Sequence, residues 1–189
     1  MHLGGNEKVS SSLQTKKSLA KSLKKLMRLT PLHKISVKDV VKDCNLNRQT
    51  FYYHFHDICE IIEWICKNTL LEKCDVEEKT PDCWIYTLCE NAHADRNFYR
   101  KVIREFGREL LEKAVTTDVE ERMKRMLSIY KIEEKEVLTF LTTSLLNYVI
   151  IVAETYDDKI GHEQIEHILL FLKNGMQEYC HNQNDVQCA

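Results

Sequence analysis

Glycine and proline are scarce in this sequence, with 5 Gly and 2 Pro among 189 residues. All-β sandwiches and barrels need many tight turns, which those residue types supply, so that class is excluded. Neither G-x-G-x-x-G nor G-x-x-x-x-G-K-[ST] occurs, which removes the nucleotide enzymes built on those phosphate-gripping loops. Met1 to Ser12 is polar and lacks the apolar core of a signal peptide. The most apolar stretch, Val137 to Ala153, is interrupted by Thr139, Thr142, Thr143, Ser144 and Asn147 and falls short of the roughly 20 residues that span a bilayer. The expectation is a soluble, cytoplasmic chain without a membrane segment.

Cysteine, by contrast, is plentiful. The 8 Cys stand at 44, 59, 66, 74, 83, 89, 180 and 188. No two are spaced C-x-x-C, so neither a zinc ribbon nor a thioredoxin-like redox site is indicated. A disulfide framework does not suit a reducing compartment. Small, buried, apolar packing residues are the plain reading of most of them.

Charge is unevenly spread. Residues 1–60 hold 11 Lys and Arg against 5 Asp and Glu, a net +6, and residues 61–189 hold 16 against 24, a net −8. A basic module joined to an acidic one fits a nucleic-acid reader with a separate regulatory or assembly domain, although solvated helical proteins also show such asymmetry.

The apolar periodicity is helical throughout, and the fold class expected is all-α. Leu13, Leu19, Ala20, Leu23, Leu26 and Met27 mark one face of a first helix, with Lys16, Lys17, Lys21, Lys24 and Lys25 on the other. Thr30 and Pro31 end it. Ser36 and Asp39 stand as a capping box at the start of a second, short helix, with Ile35 and Val40 in the positions of a hydrophobic staple. That helix ends near Cys44, and Asn45 is suited to a left-handed turn without glycine. Asn47 offers a second N-cap, followed by a short helix from Arg48 to Phe55. Helix, tight turn, helix is the helix-turn-helix arrangement. One longer helix continues from Asp57 to Cys74, and the polar segment 74–82, with the second proline, marks a domain boundary. Beyond it, helices are expected at about 82–94, 96–106, 108–129, 133–155 and 162–180. The domains read as a disordered tail at 1–12, a helix-turn-helix domain with its connecting fourth helix at 13–74, a regulatory and dimerisation domain at 82–180, and a disordered tail at 181–189. The last two helices are the most apolar, which suits a four-helix homodimer interface.

The segment ISVKDVVKDCNLNRQTFYYHF, Ile35 to Phe55, resembles the DNA-binding signature of the TetR family of bacterial transcription regulators. The shared pattern is a capped helix, a small residue at the turn, an apolar residue, a polar N-cap and then T-F-Y-x-H-F. Here these are Ser36, Cys44, Leu46, Asn47 and Thr50-Phe51-Tyr52-Tyr53-His54-Phe55. The sequence departs from the pattern at Asn45, where glycine is usual, at Gln49, where glycine is frequent, and at Ile58, where many members carry a phosphate-binding lysine. A narrower resemblance lies in RQTFYYHF followed by Glu63-Trp64-Ile65, and later Asn97-Phe98-Tyr99 with Lys101-Val102. It is to the Firmicutes subgroup that includes the activator of dihydroxyacetone kinase genes. The resemblance implies double-stranded DNA and a second copy of the chain as partners, together with a small-molecule effector or a protein coactivator.

The residues support the same reading independently. Phe51 and Phe55 are four apart and face inward, leaving Arg48, Gln49, Tyr52 and Tyr53 outward. Arg and Gln at the start of a recognition helix pair bidentately with guanine and adenine edges. Asn47, Thr50, Tyr52, Tyr53 and His54 suit phosphate and thymine-methyl contacts, with Ser36 and Lys38 as anchors on the preceding helix. A partly buried aromatic cluster is the plainer reading of the two tyrosines.

In the second half, Trp84, Tyr86, Phe98, Tyr99, Phe106, Phe140 and Tyr148 are candidates to line an effector pocket, though aromatics at helical spacing are commonly plain core. No cofactor is required. Cys89 and His93, four apart on one helix, form a chelating pair to which Glu163, Glu166 or His167 would add ligands, which raises Zn2+ as an alternative input. An enzyme is not expected, because no nucleophile, base and orienting group form a set, and His54 beside His56 fits phosphate contact better. A helical adaptor that binds protein alone would have no use for Arg48, Gln49 and the basic first helix.

Overall fold

The computed structural model of the chain describes residues 4–74, 83–155 and 162–187, and these form nine α-helices and one 3-10 turn. Helix α1 is Gly4–Leu29, α2 Val37–Asp43, α3 Arg48–His54 and α4 Ile58–Leu70. Helix α5 is Cys83–Ala94, α6 Arg96–Phe106, α7 Glu109–Ile129, α8 Lys135–Glu154 and α9 His162–Gln187. The all-α expectation holds. Pro31 stops α1, and a 3-10 turn at Leu32–Lys34 leads to the next helix.

The described parts of the two segments expected to be disordered tails, 4–12 and 181–187, are helical instead. Helix α1 begins at Gly4, and α9 runs on to Gln187. Polar composition suggested disorder, but neither Pro nor Gly interrupts 6–29 or 176–187, so a helix once nucleated has nothing to stop it. The fourth helix is shorter than expected, with Leu71 as its C-cap and Lys73 in the left-handed region at φ 61°. Of the expected boundary segment 74–82, residues 75–82 lie outside the described residues.

One contiguous apolar core runs from α1 to α9. Helix α1 contributes Leu19, Leu23 and Met27, α3 contributes Phe51, and α4 contributes Ile61, Ile62, Ile65 and Leu70, all essentially solvent-free. Each such side chain contributes about 1.5–3 kcal/mol relative to exposure. Helix α4 packs against α1, α5 and α7 and so joins the first three helices to the rest. Ion pairs of Lys67 with Asp118 at 2.7 Å and Lys113 with Glu63 at 2.9 Å flank its contact with α7. Inside that joint the Tyr99 hydroxyl of α6, fully buried, lies 2.6 Å from Thr69 Oγ1 of α4. Thr69 donates its own proton to the Ile65 carbonyl at 2.8 Å. Tyr99 is therefore the donor to Thr69.

Helix α6 ends at Gly107, whose φ of 81° is open to glycine and strained for other residues. Helix α8 has 20 residues, longer than the apolar stretch 137–153 visible in the sequence, and reaches a length and apolarity compatible with a bilayer span. Its apolar residues serve the core instead: Leu146, Val149, Ile150, Val152 and Ala153 are buried against α5, α6 and α7. Helix α9 is more lightly attached, touching mainly α5, and leaves Phe171 76% and Leu170 56% exposed.

Candidate nucleic-acid interface

The turn between α2 and α3 is built by side chains that satisfy helix ends. Ser36 Oγ accepts from the Asp39 backbone N–H at 3.3 Å, and the Asp39 carboxylate accepts from Ser36 N–H at 2.9 Å and Ser36 Oγ–H at 2.6 Å. These bonds hold the Asp39 carboxyl below its ordinary value, with the neighbouring Lys38 and Lys42 adding to the effect. Ile35 and Val40 are both buried, as a hydrophobic staple requires. The chain then reverses at Asn45, φ 58°, and the Leu46 N–H donates to the Val41 carbonyl at 2.8 Å. Ser22 Oγ donates to the Val40 carbonyl at 2.9 Å and ties α1 to this turn.

Asn47 caps α3. Its Oδ1 accepts from Thr50 N–H at 2.7 Å and from Thr50 Oγ1–H at 3.0 Å. Phe51, below the helix, is fully buried and packs on Phe55 with ring centroids 5.9 Å apart. Phe55 in turn meets Trp64 of α4 at 6.1 Å, and Lys16 Nζ of α1 sits 5.3 Å from its ring centroid. A helix of seven residues is too short to hold itself, so this cap and aromatic anchor define its position.

What the anchored helix presents is polar. Arg48 and Gln49 are exposed in its first turn. Arg48 lies against Tyr52, with its Cζ 5.9 Å from the ring centroid and its Nη2 donating to the Tyr52 hydroxyl at 3.3 Å. Tyr53 is 81% exposed, so the buried-cluster reading does not apply to it. His54 is half-buried edge-on to Tyr53, and burial together with the Lys16 charge lowers its basicity, favouring neutral imidazole at neutral pH. Ser36 and Lys38 are exposed at the start of α2. Of the expected contact set, Ser36, Asn47 and Thr50 already make local cap bonds, which leaves Lys38, Arg48, Gln49, Tyr52, Tyr53 and His54 as the groups facing outward or half outward. Lys16 was missed by sequence reasoning, because only the fold brings it over Phe55.

Across 61 residues the chain is 39% identical to the HTH-type dhaKLM operon transcriptional activator DhaS of Lactococcus lactis subsp. lactis (strain IL1403). The two chains are homologous over that stretch. It covers 32% of this chain and 33% of that relative. The solved structure of a dihydroxyacetone kinase operon activator DhaS matches 84% of this chain and 95% of its own, with a TM-score of 0.61 and 20% identity, a likeness that establishes the fold. No protein-family model matches the chain.

The second half of the chain holds an apolar cavity of about 430 Å³ between α5, α7, α8 and α9. Of the seven aromatic candidates only Phe140 and Tyr148 line it. Trp84, Phe98 and Tyr99 are buried in the core, and Tyr86 and Phe106 pack half-buried against it. Their helical spacing marked the core-facing side of α5 and α6, not a cavity wall. Met123, Met126, Leu145, Ile168 and Phe171 are among the other residues that line it. Cys89 and His167 also border the cavity, and burial pushes the Cys89 thiol up to about 12. His93 and Glu163 do not line it. Among the described residues no three His, Cys, Asp or Glu side chains come together to hold a metal ion. Cys89, His93, Glu163 and His167 are thus not assembled into one ligand set.

Proposed function

We propose that this chain is a homodimeric, TetR-type transcription regulator of the cytoplasm that reads a palindromic DNA operator through α3. The observation that carries the reading is the exposed Arg48 and Gln49 in the first turn of a capped helix pinned from below by Phe51 and Phe55. Such a helix enters the major groove with its N-terminal side chains at the base edges. Arg48 and Gln49 then read purines, and Lys38, Tyr52, Tyr53 and His54 contact the backbone and thymine methyls. Arg48 resting on Tyr52 supports this, since a guanidinium held in one orientation loses less entropy on pairing. The relative named as a transcriptional activator supports it further.

Dimerisation runs through α8 and α9, which leave Phe140 68%, Phe171 76% and Leu170 56% exposed, the first two also lining the open cavity. The four-helix pairing of such faces across a two-fold axis covers this apolar surface. Control reaches the chain through its second half, where the 430 Å³ cavity suits a small uncharged apolar effector and a protein coactivator would serve the same role at the surface. Selection of bound duplexes from a random pool, repeated at two salt concentrations, tests the central claim. A palindromic consensus with affinity falling steeply with salt is the expected result. Binding indifferent to sequence and to salt refutes it.

A further inference from the structure

Helices α8 and α9 line the same space but scarcely touch, and α9 is held mainly by α5. The cavity of about 430 Å³ lies between 140–148 of α8 and 165–172 of α9. A second, of about 180 Å³, follows it between 137–141 and 171–179. Leu141, Phe171 and Leu172 belong to both walls, so the two parts lie end to end along the helices as one channel. From Tyr148 to Val137 it runs about 16 Å.

No Lys, Arg, Asp or Glu lines either part. Hydrogen-bonding groups gather in the larger part: Ser144 and Tyr148, four apart on α8, and His167 of α9. Among the described residues none of these three side chains has a hydrogen-bond partner, and burial keeps the neighbouring Cys89 thiol neutral. In the smaller part the Tyr179 hydroxyl already donates to Glu134 Oε1 at 2.8 Å. Gly175 also lines that part, and a methyl group on its Cα would meet nothing within 4 Å. Close helix packing therefore does not require glycine there, although glycine weakens a helix. What it leaves is room.

We infer that this channel binds an unbranched aliphatic chain of about a dozen carbons with one uncharged hydrogen-bonding end, a long-chain alcohol in type, and that Gly175 sets the length admitted. The inference rests on the reading of this cavity as the effector site and gives that effector a chemical class. An extended chain advances about 1.3 Å per carbon, so about twelve carbons match the channel. A compact ring system would fill the larger part and leave the smaller one empty. A carboxylate would enter an apolar wall with neither Lys nor Arg to balance it. A hydroxyl, by contrast, can donate to or accept from Ser144 and Tyr148. Met123, Met126 and Met176 supply flexible walls that follow a chain. The mouth lies at Phe140 and Phe171, which the two-fold pairing proposed above would cover.

The test needs no DNA. Full-length protein is loaded with the uncharged fluorescent probe N-phenyl-1-naphthylamine, which is displaced with straight-chain 1-alkanols from hexanol to tetradecanol and with dodecanoate. Affinity should rise about fourfold for each added CH₂ and level off near about twelve carbons. In Gly175→Leu it levels off several carbons earlier, while hexanol binds as before. Tyr148→Phe weakens decanol at least threefold, and dodecanoate binds less tightly than dodecanol. Gly175 is exposed and faces open space, so its replacement leaves the core intact, and circular dichroism verifies the fold of both variants. No displacement by any alkanol overturns the inference, as does a length limit that Gly175→Leu leaves unmoved, or tighter binding of dodecanoate than of dodecanol. If alkanols displace the probe only from a monomeric Leu170→Glu variant, the second copy fills the channel and the inference is refuted. If compact apolar compounds such as naphthalene bind and alter duplex affinity while alkanols do neither, the effector reading stands and the chain-binding channel falls. Alkanols that bind with the stated length limit yet leave duplex affinity unchanged uphold the channel and remove its role as the effector site.

Discussion

Phe51 and Tyr53 stand two residues apart on α3, and replacing each by alanine separates holding the helix from using it. Phe51 is fully buried and touches both Phe55 and Tyr52, so Phe51→Ala removes a whole aromatic ring from a packed site. Such truncations cost about 3–5 kcal/mol. Against a total stability of about 5–15 kcal/mol, that is about a fifth or more of what holds the chain folded. With a slope of about 2 kcal/mol per molar urea, the unfolding midpoint falls by about 2 M. Tyr53 is 81% exposed and makes an edge contact only with His54, so Tyr53→Ala shifts stability by no more than about 0.5 kcal/mol. Its effect falls on DNA affinity. Urea titration followed by circular dichroism, with duplex binding measured on the same samples, separates the two. An unmoved midpoint in Phe51→Ala, or a large destabilisation in Tyr53→Ala, would refute the inward and outward assignment of α3.

Further outcomes are expected. Arg48→Ala and Gln49→Ala each relax sequence preference by about 1–3 kcal/mol, whereas Lys38→Ala weakens all duplexes nearly alike, as selection from a random pool will reveal. Leu170→Glu on the exposed side of α9 yields a folded monomer in sedimentation where the unaltered chain sediments as a dimer; a folded dimer in the variant counts against that interface. The Asp39 carboxyl is held below its ordinary value in the folded chain, so the stability it lends is present above its unfolded value near about 3.9 and is lost as pH falls through the folded one. Asp39→Asn should flatten the acid limb of the urea midpoint plotted against pH, and a limb of unchanged steepness would show that other carboxylates carry it.

The parts of this fold that were legible in the sequence are those set by short-range geometry. The caps at Ser36 and Asn47 each join a side chain to a backbone group three residues on, and Asn45 takes its left-handed turn for reasons internal to the residue. The inward pair Phe51 and Phe55 follows from helical period alone. Trp84, Phe98 and Tyr99 could not be sorted from Phe140 and Tyr148 in that way, because an aromatic on the apolar face of a helix looks the same whether the next helix packs on it or stands away. The bonds of α6 to the end of α1 were equally hidden: Lys24 meets Asp95 and Lys101 meets Met27 across more than 70 residues of chain. The helical ends of α1 and α9 are not legible because a polar segment looks the same in sequence whether it is disordered or, without Pro or Gly, extends a helix.

The hydroxyl of Tyr99 gives α6 something like a click-stop. Because Thr69 commits its proton to Ile65, sliding α6 along α4 strips Tyr99 of its acceptor while Thr69 keeps its own bond. A buried phenol without a partner costs about 1–3 kcal/mol until it finds another acceptor or water. Intermediate positions of α6 are therefore penalised relative to the seated one, and the helix tends to rest in one discrete register or jump to another instead of drifting between them. Replacing Tyr99 with Phe removes that penalty and leaves the register of α6 to packing alone.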